Sequence, residues 1–530
     1  MLEDLKSDFK YHPAFTAVIL ILFIGVWSTL YLKAHIDVDT GWLLQCLDRF
    51  MAGGKYGADF YETNPPLSFL IYLPAYPLYT YAALDPKFSV FIVVSIYVLF
   101  SNYILFLLMR AEKYTATDIV VLLSACAMAL TWTAGISFGS KDHIITSFLI
   151  PLSLYQYRLT FDRKTNRLVS AAAILLGGLA VCLKPHYAII PAAFFLHRLY
   201  IKRSIGACVT SPDFWGMFII GASYLAFVII VTPEFFNLLP EIISIYTIER
   251  PFPLYYRYYY LLYGAVGFVI SFWILKSPAQ QILKNATIGF TVLSFLCLIP
   301  YILQDKGFHY QALPILCYGS IVLFIAVYSI AKEIAEKSDY ALWSSCVLIT
   351  LLFFGYTYGY KTFKMTKGQY LALPLVDIID EKAWNDVYAT YDFKNMLTPL
   401  PELSNLTNGS RFGQLWPLNG LLEKIKITQD AQERAQIKQQ MFHYVDMIAE
   451  DMKRYKPSVI TIPQFEDPET GEPKKNYYNF LMENENFKEN MENYSYDSTV
   501  EFDSSLTLMN SERDKIIPHD VFVLKRDNAL

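Results

Sequence analysis

The chain has 530 residues, 54% of them hydrophobic, 16% aromatic and only 17% charged, and its mean hydropathy is +0.30. That charge content excludes an ordinary soluble globular protein and describes a polytopic membrane protein. Lys and Arg total 44 against 48 Asp and Glu, a net charge of −4, so there is no basic footprint and nucleic acid is excluded as a partner.

The first apolar run, "AFTAVILILFIGVWSTLYL" (14–32), is long enough to cross about 30 Å of hydrocarbon and no small-residue cleavage site follows it, which predicts an uncleaved first span. Directly after it comes "DVDTGWLLQCLDRFMAGGKYGADFYETNPPLSFL" (37–70), with acidic side chains at 37, 39, 48, 59 and 62. Leu43, Cys46, Leu47, Phe50 and Met51 share one helical face, which predicts a short helix over 41–51 lying on the bilayer. Asp39 falls just before it as an N-cap, and "AGG" ends it with residues suited to left-handed dihedrals. The next stretch, 66–84, is apolar but carries prolines at 66, 74 and 77 and tyrosines at 72, 76, 79 and 81. Prolines interrupt a spanning helix and tyrosines suit the headgroup level, so it is expected to lie flat or re-entrant at the outer interface.

Runs of spanning length follow near 88–109, 116–136, 143–161, 168–183, 186–198, 213–232, 257–275, 285–303, 310–331 and 340–360. From about 361 the sequence turns polar, with a helical pattern over 430–455, a strand-like "SVITI" (458–462), a turn-rich "PQFEDPETGEPKK" and a terminal strand "VFVLKR" (521–526). The expected fold is an all-α polytopic membrane domain over 1–360, with about 11 transmembrane helices plus juxtamembrane helices, and a small external α/β domain over 361–530. The seven cysteines are scattered through mostly apolar runs without metal-ligand spacing and read as packing residues.

The basic loops share one side of the membrane only if 66–84 does not cross, which places the N-terminus in the cytoplasm and the C-terminal domain in the periplasm or outside. The outer segments are then chemically odd. "FGSKDH" (138–143), "LKPHY" (183–187), "IERPFPLYYR" (248–257) and "QDKGFHY" (304–310) each set a Lys or Arg at a membrane boundary, against the usual bias. Asp37, Asp39 and Glu62 lie in the first outer loop, while Asp142, Lys184, His186, Lys306 and His309 end spans on that same face. Such a set suits a reaction that takes a proton from a hydroxyl while a phosphate departs: a carboxylate is the base, and Lys, Arg or a divalent cation neutralises the leaving group.

At these residues the sequence resembles a family. "DTGWLLQCLDRFMAGGKYGADFYETNPPLSF" (39–69) is similar to the first external loop of the GT-C fold glycosyltransferases, membrane enzymes that include protein mannosyltransferases and the lipid A aminoarabinose transferase. "GGLAVCLKPHY" (177–187) and "FHYQALP" (308–314) resemble that family's glycine-rich span ending in an external Lys and its late "YLLP"-type segment. The resemblance implies a sugar taken from a polyprenyl phosphate, with Asp39 the catalytic carboxylate, Asp37 its rival and Glu62 the second acid beside the phosphate or metal. It implies donor-phosphate contacts from Lys184 and Lys306; from the outer-loop pattern itself, His186, Arg250, His309 and Tyr310 are the further substrate-binding candidates. Asp142 takes the place of a second-loop acid, although its neighbours Lys141 and His143 depart from the family's "DP" version. No cofactor is required outright; Glu62 and His309 are the candidates for holding a divalent cation. The partners implied are the polyprenyl-phosphate sugar, the bilayer of a bacterial inner membrane, and an external glycan, lipid or protein acceptor.

Plainer readings stand beside these. Asp39 serves as a cap alone, the histidines as interfacial hydrogen-bonding groups, Arg250 and Arg257 as headgroup anchors, and the tail as a scaffold. The alternative function is a transporter or flippase of lipid-linked sugars. Transporters usually set their charges at mid-membrane within repeated halves, and no repeat is visible here.

Overall fold

The computed structural model describes residues 36–111, 116–246, 269, 272, 281–335, 375–392, 406–466, 473–474, 476–503 and 516–525. The chain divides into two compact units, one of Met1–Asp37, Phe88–Phe227 and Phe252–Phe363, the other of Val38–Lys87, Val228–Pro251 and Lys364–Leu530.

The first unit is helical. Among the described residues four helices are long and apolar enough to cross a membrane: Pro86–Arg110, Pro212–Val231, Leu283–Gln304 and Tyr310–Ser329. The expected spans at 14–32 and 340–360, and nearly all of 257–275, lie outside the described residues. The 116–136 run is a helix only over Ala116–Met128; it widens into a π turn at Ala129–Thr133 and tightens into a 3-10 turn at Gly135–Ser137. The helix expected at 186–198 runs over Ile189–Lys202 after a 3-10 turn at Pro185–Ala188, because Pro185 starts the turn without needing an N–H partner.

The helix Lys141–Thr160 is the hub of this unit, buried along nearly its whole length despite its polar residues. It packs against Arg167–Leu183, Ile189–Lys202 and His309–Ala335. Gly139, at φ +91°, turns the chain into it, and the Ser140 hydroxyl caps it by accepting from the backbone N–H of His143 at 3.3 Å. Helices approach closely where side chains vanish: a Cβ at Gly177 would lie 2.2 Å from Leu152 Cδ2, and one at Gly216 would lie 2.6 Å from Ile174 Cγ2. Arg198, Asp213 and Gln156 lock three helices together. The Arg198 guanidinium donates to both carboxylate oxygens of Asp213 at 2.9 and 2.7 Å, and Gln156 Nε2 donates to Oδ2 at 2.9 Å. Arg198, at the edge of the expected 186–198 span, is thus a buried ion-pair partner.

The second unit holds a mixed five-stranded sheet. Its strands are β1 (Val387–Thr390), β2 (Thr407–Asn408), β3 (Val459–Pro463), β4 (Tyr494–Asp503) and β5 (Ile516–Leu524), in the order β2-β1-β3-β5-β4. β1 runs parallel to β2 and β3; β5 is antiparallel to β3 and β4. β3 is buried throughout, which is why its "VITI" is a continuous apolar run rather than an alternation. The Ala431–Tyr455 helix packs on the sheet, capped by Asp430, whose carboxylate accepts from the N–H of Glu433 at 2.7 Å. Part of the turn-rich "PQFEDPETGEPKK" is a small ribbon, Phe465–Glu466 against Pro473–Lys474. Residues from distant stretches complete the core: Tyr61, Ile242 and Ile245 pack with Phe412, Leu418, Tyr444, Ile448 and Ile460. The 66–84 stretch, also in this unit, is broken into Leu67–Leu70, Leu73–Ala75 and Tyr76–Thr80, none of a length to cross a membrane.

Candidate active site

The first loop opens with a helix over Val38–Met51, longer than the expected 41–51. Asp39 is therefore in the first turn rather than before it, because Asp37, itself a cap-type residue, precedes the helix. A carboxylate in the first turn still opposes the positive end of the helix dipole. Leu43, Cys46 and Leu47 are fully buried, while Asp37 and Asp39 are half-buried. Gly53, at φ +88°, ends the helix, and Gly54 leaves room for the Arg49 carbonyl where a Cβ would lie 2.8 Å away.

The loop is then drawn back onto its own helix. Glu62, 3% exposed, accepts from the Trp42 indole N–H on Oε2 at 2.7 Å. Its Oε1 accepts from the Asn64 backbone N–H at 2.8 Å, the Asn64 side-chain amide at 2.5 Å and the Thr63 hydroxyl at 3.3 Å. A carboxylate offers about four acceptor positions, so Oε1 is saturated and Oε2 is shared. Arg49 donates to the carbonyls of Asp59 at 2.7 Å, Ser410 at 2.8 Å and Asn408 at 2.6 Å, and the Tyr61 N–H donates to the Arg411 carbonyl at 2.7 Å. Asp59 pairs with Arg454 at 2.6 Å. Burial pulls its carboxyl upward, but the Lys55 N–H, the Arg454 guanidinium and Arg49 outweigh burial and hold it below the usual carboxylate range. Beside Glu62, Tyr61 lies 3.0 Å from the Tyr444 hydroxyl, and Tyr444 donates to Glu241. Burial above all pushes both phenols well above their ordinary value; the neighbouring Tyr61 and then the hydrogen bond to Glu241 add to it at Tyr444, while at Tyr61 the bond to Tyr444 opposes it and the Glu241 charge adds to it.

In the membrane unit a second set gathers around Asp142. Its fully buried carboxylate accepts from Lys184 Nζ on Oδ2 at 2.6 Å and from the Tyr187 hydroxyl on Oδ1 at 3.2 Å. The residues arrive there for local reasons. Asp142 is in the first turn of the capped Lys141–Thr160 helix, and Lys184 is the extended residue that ends Arg167–Leu183 before Pro185. The 3-10 turn that follows brings the N–H of Tyr187 to the Lys184 carbonyl at 3.0 Å. Lys184 Nζ also lies 5.3 Å from the Tyr310 ring centroid. His186 Nε2 is 3.1 Å from Gln304 Nε2, and Gln311 donates to Gln304 Oε1 at 3.0 Å. Lys141 and Lys306 are buried as well. An ammonium has three donors and Asp142 takes one from Lys184, which leaves capacity for a phosphate oxygen.

The structure thus brings Asp142, Lys184 and Tyr310 together, and links His186 to Gln304. Asp39 and Glu62 belong to the other unit, Arg250 lies outside the described residues, and of His309 only its place at the start of His309–Ala335 is described. Among the described residues no group of three or more His, Cys, Asp or Glu is placed to hold a metal ion. His143 is a structural residue: its Nδ1 accepts from the Gly139 N–H at 3.2 Å and its Nε2 faces the Leu130 carbonyl at 2.6 Å, an arrangement that suits a neutral ring. Sequence reasoning missed Trp42, Tyr187, Gln304 and Gln311. Tyr187 had a signal, since it follows "KPH" three residues after Lys184; the glutamines had none.

No protein-family profile matches the chain, and no curated protein sequence does. The fold is nevertheless shared with solved structures, and it is the polytopic membrane fold of the GT-C glycosyltransferases. Those structures include ArnT from Cupriavidus metallidurans in the apo state, with a TM-score of 0.56 and 12% identity over 96% of this chain and 98% of that one. They also include ArnT from the same organism bound to undecaprenyl phosphate, with a TM-score of 0.57, 12% identity and the same coverage.

Proposed function

We propose that this protein is a membrane glycosyltransferase that moves a sugar from a polyprenyl phosphate to an external lipid, glycan or protein acceptor. The observation that carries the reading is the fold shared along 96% of the chain with ArnT, a protein crystallised with undecaprenyl phosphate. The buried Lys184 ammonium on the Asp142 carboxylate supports it, because a departing lipid phosphate needs fixed positive charge in a water-poor site. In this reading Asp39, or its rival Asp37, takes the proton from the acceptor hydroxyl. The acceptor oxygen bonds to the anomeric carbon, the bond from that carbon to phosphate oxygen breaks, and the polyprenyl phosphate leaves with both electrons. Lys184 and Lys306 receive its charge, while Asp142, which also accepts from the Tyr187 hydroxyl, holds the Lys184 ammonium in place. Glu62 sets the loop and its local field rather than carrying the proton, since its Oε1 is saturated by loop donors. His186, Arg250, His309 and Tyr310 line the donor.

The reading includes a catalytic membrane domain over 1–360 in a bacterial inner membrane, a cytoplasmic N-terminus and an external C-terminal domain over 361–530. The test compares cells lacking the protein with cells carrying Asp39→Asn or Asp37→Asn, by mass spectrometry of envelope glycans and lipid-linked sugars. Loss of one glycan modification with accumulation of its lipid-linked sugar is expected in the null strain and in at least one variant. Full modification in both variants removes the loop base. Cysteines at 142, 184 and 306 that label only from the cytoplasm would instead fit a transporter.

A further inference from the structure

Trp42 lies one helical turn beyond Asp39 on the Val38–Met51 helix and is clamped from three directions. Its indole N–H is held by Glu62 Oε2 at 2.7 Å. One face meets Gly413 so closely that a Cβ there would lie 2.4 Å from Trp42 Cδ2 and 2.7 Å from Cγ. The Arg49 guanidinium lies 5.8 Å from the ring centroid, and that guanidinium is itself fixed by the Asn408 and Ser410 carbonyls. Side chains three apart on a helix project from the same side, so an indole that cannot turn fixes the rotation of the helix about its axis. It thereby fixes the direction in which the Asp39 carboxylate leaves the helix.

We propose that Trp42 is a positioning residue for the loop base, and that the tail segment 408–413 sets it by pressing Gly413 against the indole and holding Arg49. This rests on the glycosyltransferase reading and gives the C-terminal domain a part in turnover in place of a bare scaffold. Glu62 then acts as the strut that holds the indole edge, and position 413 requires glycine because any side chain would occupy the space of the ring. A displaced base of about 1 Å costs roughly 100-fold in rate, so the effect is readable.

The full-length protein in lipid nanodiscs is loaded with the host's own extracted polyprenyl-phosphate sugars and given the host's envelope glycan and lipid fraction as acceptor, and loss of the lipid-linked sugar is followed by mass spectrometry across the pH range. Replacing Trp42 with benzothienylalanine keeps the ring shape and removes only the N–H. Its discharge rate is expected to fall about tenfold or more and the acid limb of its pH profile to move, with retention of undecaprenyl phosphate unchanged and the melting temperature lowered only by the one lost hydrogen bond. Gly413→Ala is expected to lower the rate and move the acid limb in the same way, with a fall in melting temperature from overpacking against the ring as well. Combined with Trp42→Phe, whose smaller ring makes room, Gly413→Ala should add no further loss, because both act through one contact. An unchanged rate and pH profile in the sulfur analogue overturns the proposal, as does a Gly413→Ala loss that multiplies in full onto Trp42→Phe. Asp37→Asn and Asp39→Asn run alongside: if both keep full rate the glycosyltransferase base is wrong, whereas if either is inactive and the Trp42 analogue is normal the positioning role alone fails.

Discussion

At the scale of single residues, the buried pair of Asp142 and Lys184 makes a sharp prediction. Their side chains are 0% and 8% exposed, and removing one partner strands the other's charge in a low-dielectric site. Lys184→Met is expected to cost about 3–5 kcal/mol, with Asp142→Asn added to it restoring part of that loss, both read from thermal melting in detergent. If the proposed donor site is right, binding of undecaprenyl phosphate should fall in both the single and the double variant, since the ammonium is gone from each. Asp59 predicts a pH dependence. Its folded-state pKa is depressed, so the stability it contributes is present above the unfolded value and lost as pH falls through the folded one. The Arg454 partner is 53% exposed and solvent screens the pair, so Asp59→Asn should cost under about 1 kcal/mol at neutral pH. That difference should vanish in acid, as checked by melting curves from neutral pH downward. The residue types of the Asp142 site were legible in "FGSKDH" and "LKPHY"; their pairing was not, because 42 positions separate them and nothing local records the distance.

Among elements, helix packing is the more exposed to single changes. The Cβ of Gly177→Ala would meet Leu152 at 2.2 Å, and overpacking of this kind costs about 1–3 kcal/mol. Gly221→Ala meets nothing within 4 Å and serves as its control, expected to be neutral or to gain up to about 1 kcal/mol from helix propensity. Melting temperatures of the two variants decide it. Elements with strong periodicity were readable in advance: the 430–455 pattern became Ala431–Tyr455, and "SVITI" became β3. β1 and β2 were not, because strands of 4 and 2 residues owe their form to pairing partners far along the chain rather than to their own sequence. The first-loop helix was legible in type and misjudged at its start, where two aspartates compete for one cap.

For the whole molecule, composition announced the polytopic membrane class, whereas nothing in it announced that 38–87 and 228–251 would share a compact unit with 364–530. Tyr61, Ile242 and Ile245 fill part of that unit's core, so the tail is incomplete without them. A fragment of 364–530 expressed alone should lack cooperative thermal unfolding and self-associate, as seen by circular dichroism and size-exclusion chromatography. A sharp, monomeric transition would contradict this.

The lock of Arg198 on Asp213 also bears on how the chain is made. Its partners are 15 residues apart, on helices separated only by the short Ile205–Val209 turn of helix, so they emerge from the ribosome within seconds of each other. Arg198 is near the end of Ile189–Lys202 and Asp213 is in the first turn of Pro212–Val231, and a charge buried there without its partner is costly, so neutralising one by the other favours joint insertion. Ile189–Lys202, with 14 residues, is also short for a spanning helix by itself. The two segments should therefore leave the insertion machinery together as a hairpin, so that Asp213→Ala is expected to trap nascent chains at this stage, before the later helices are synthesised.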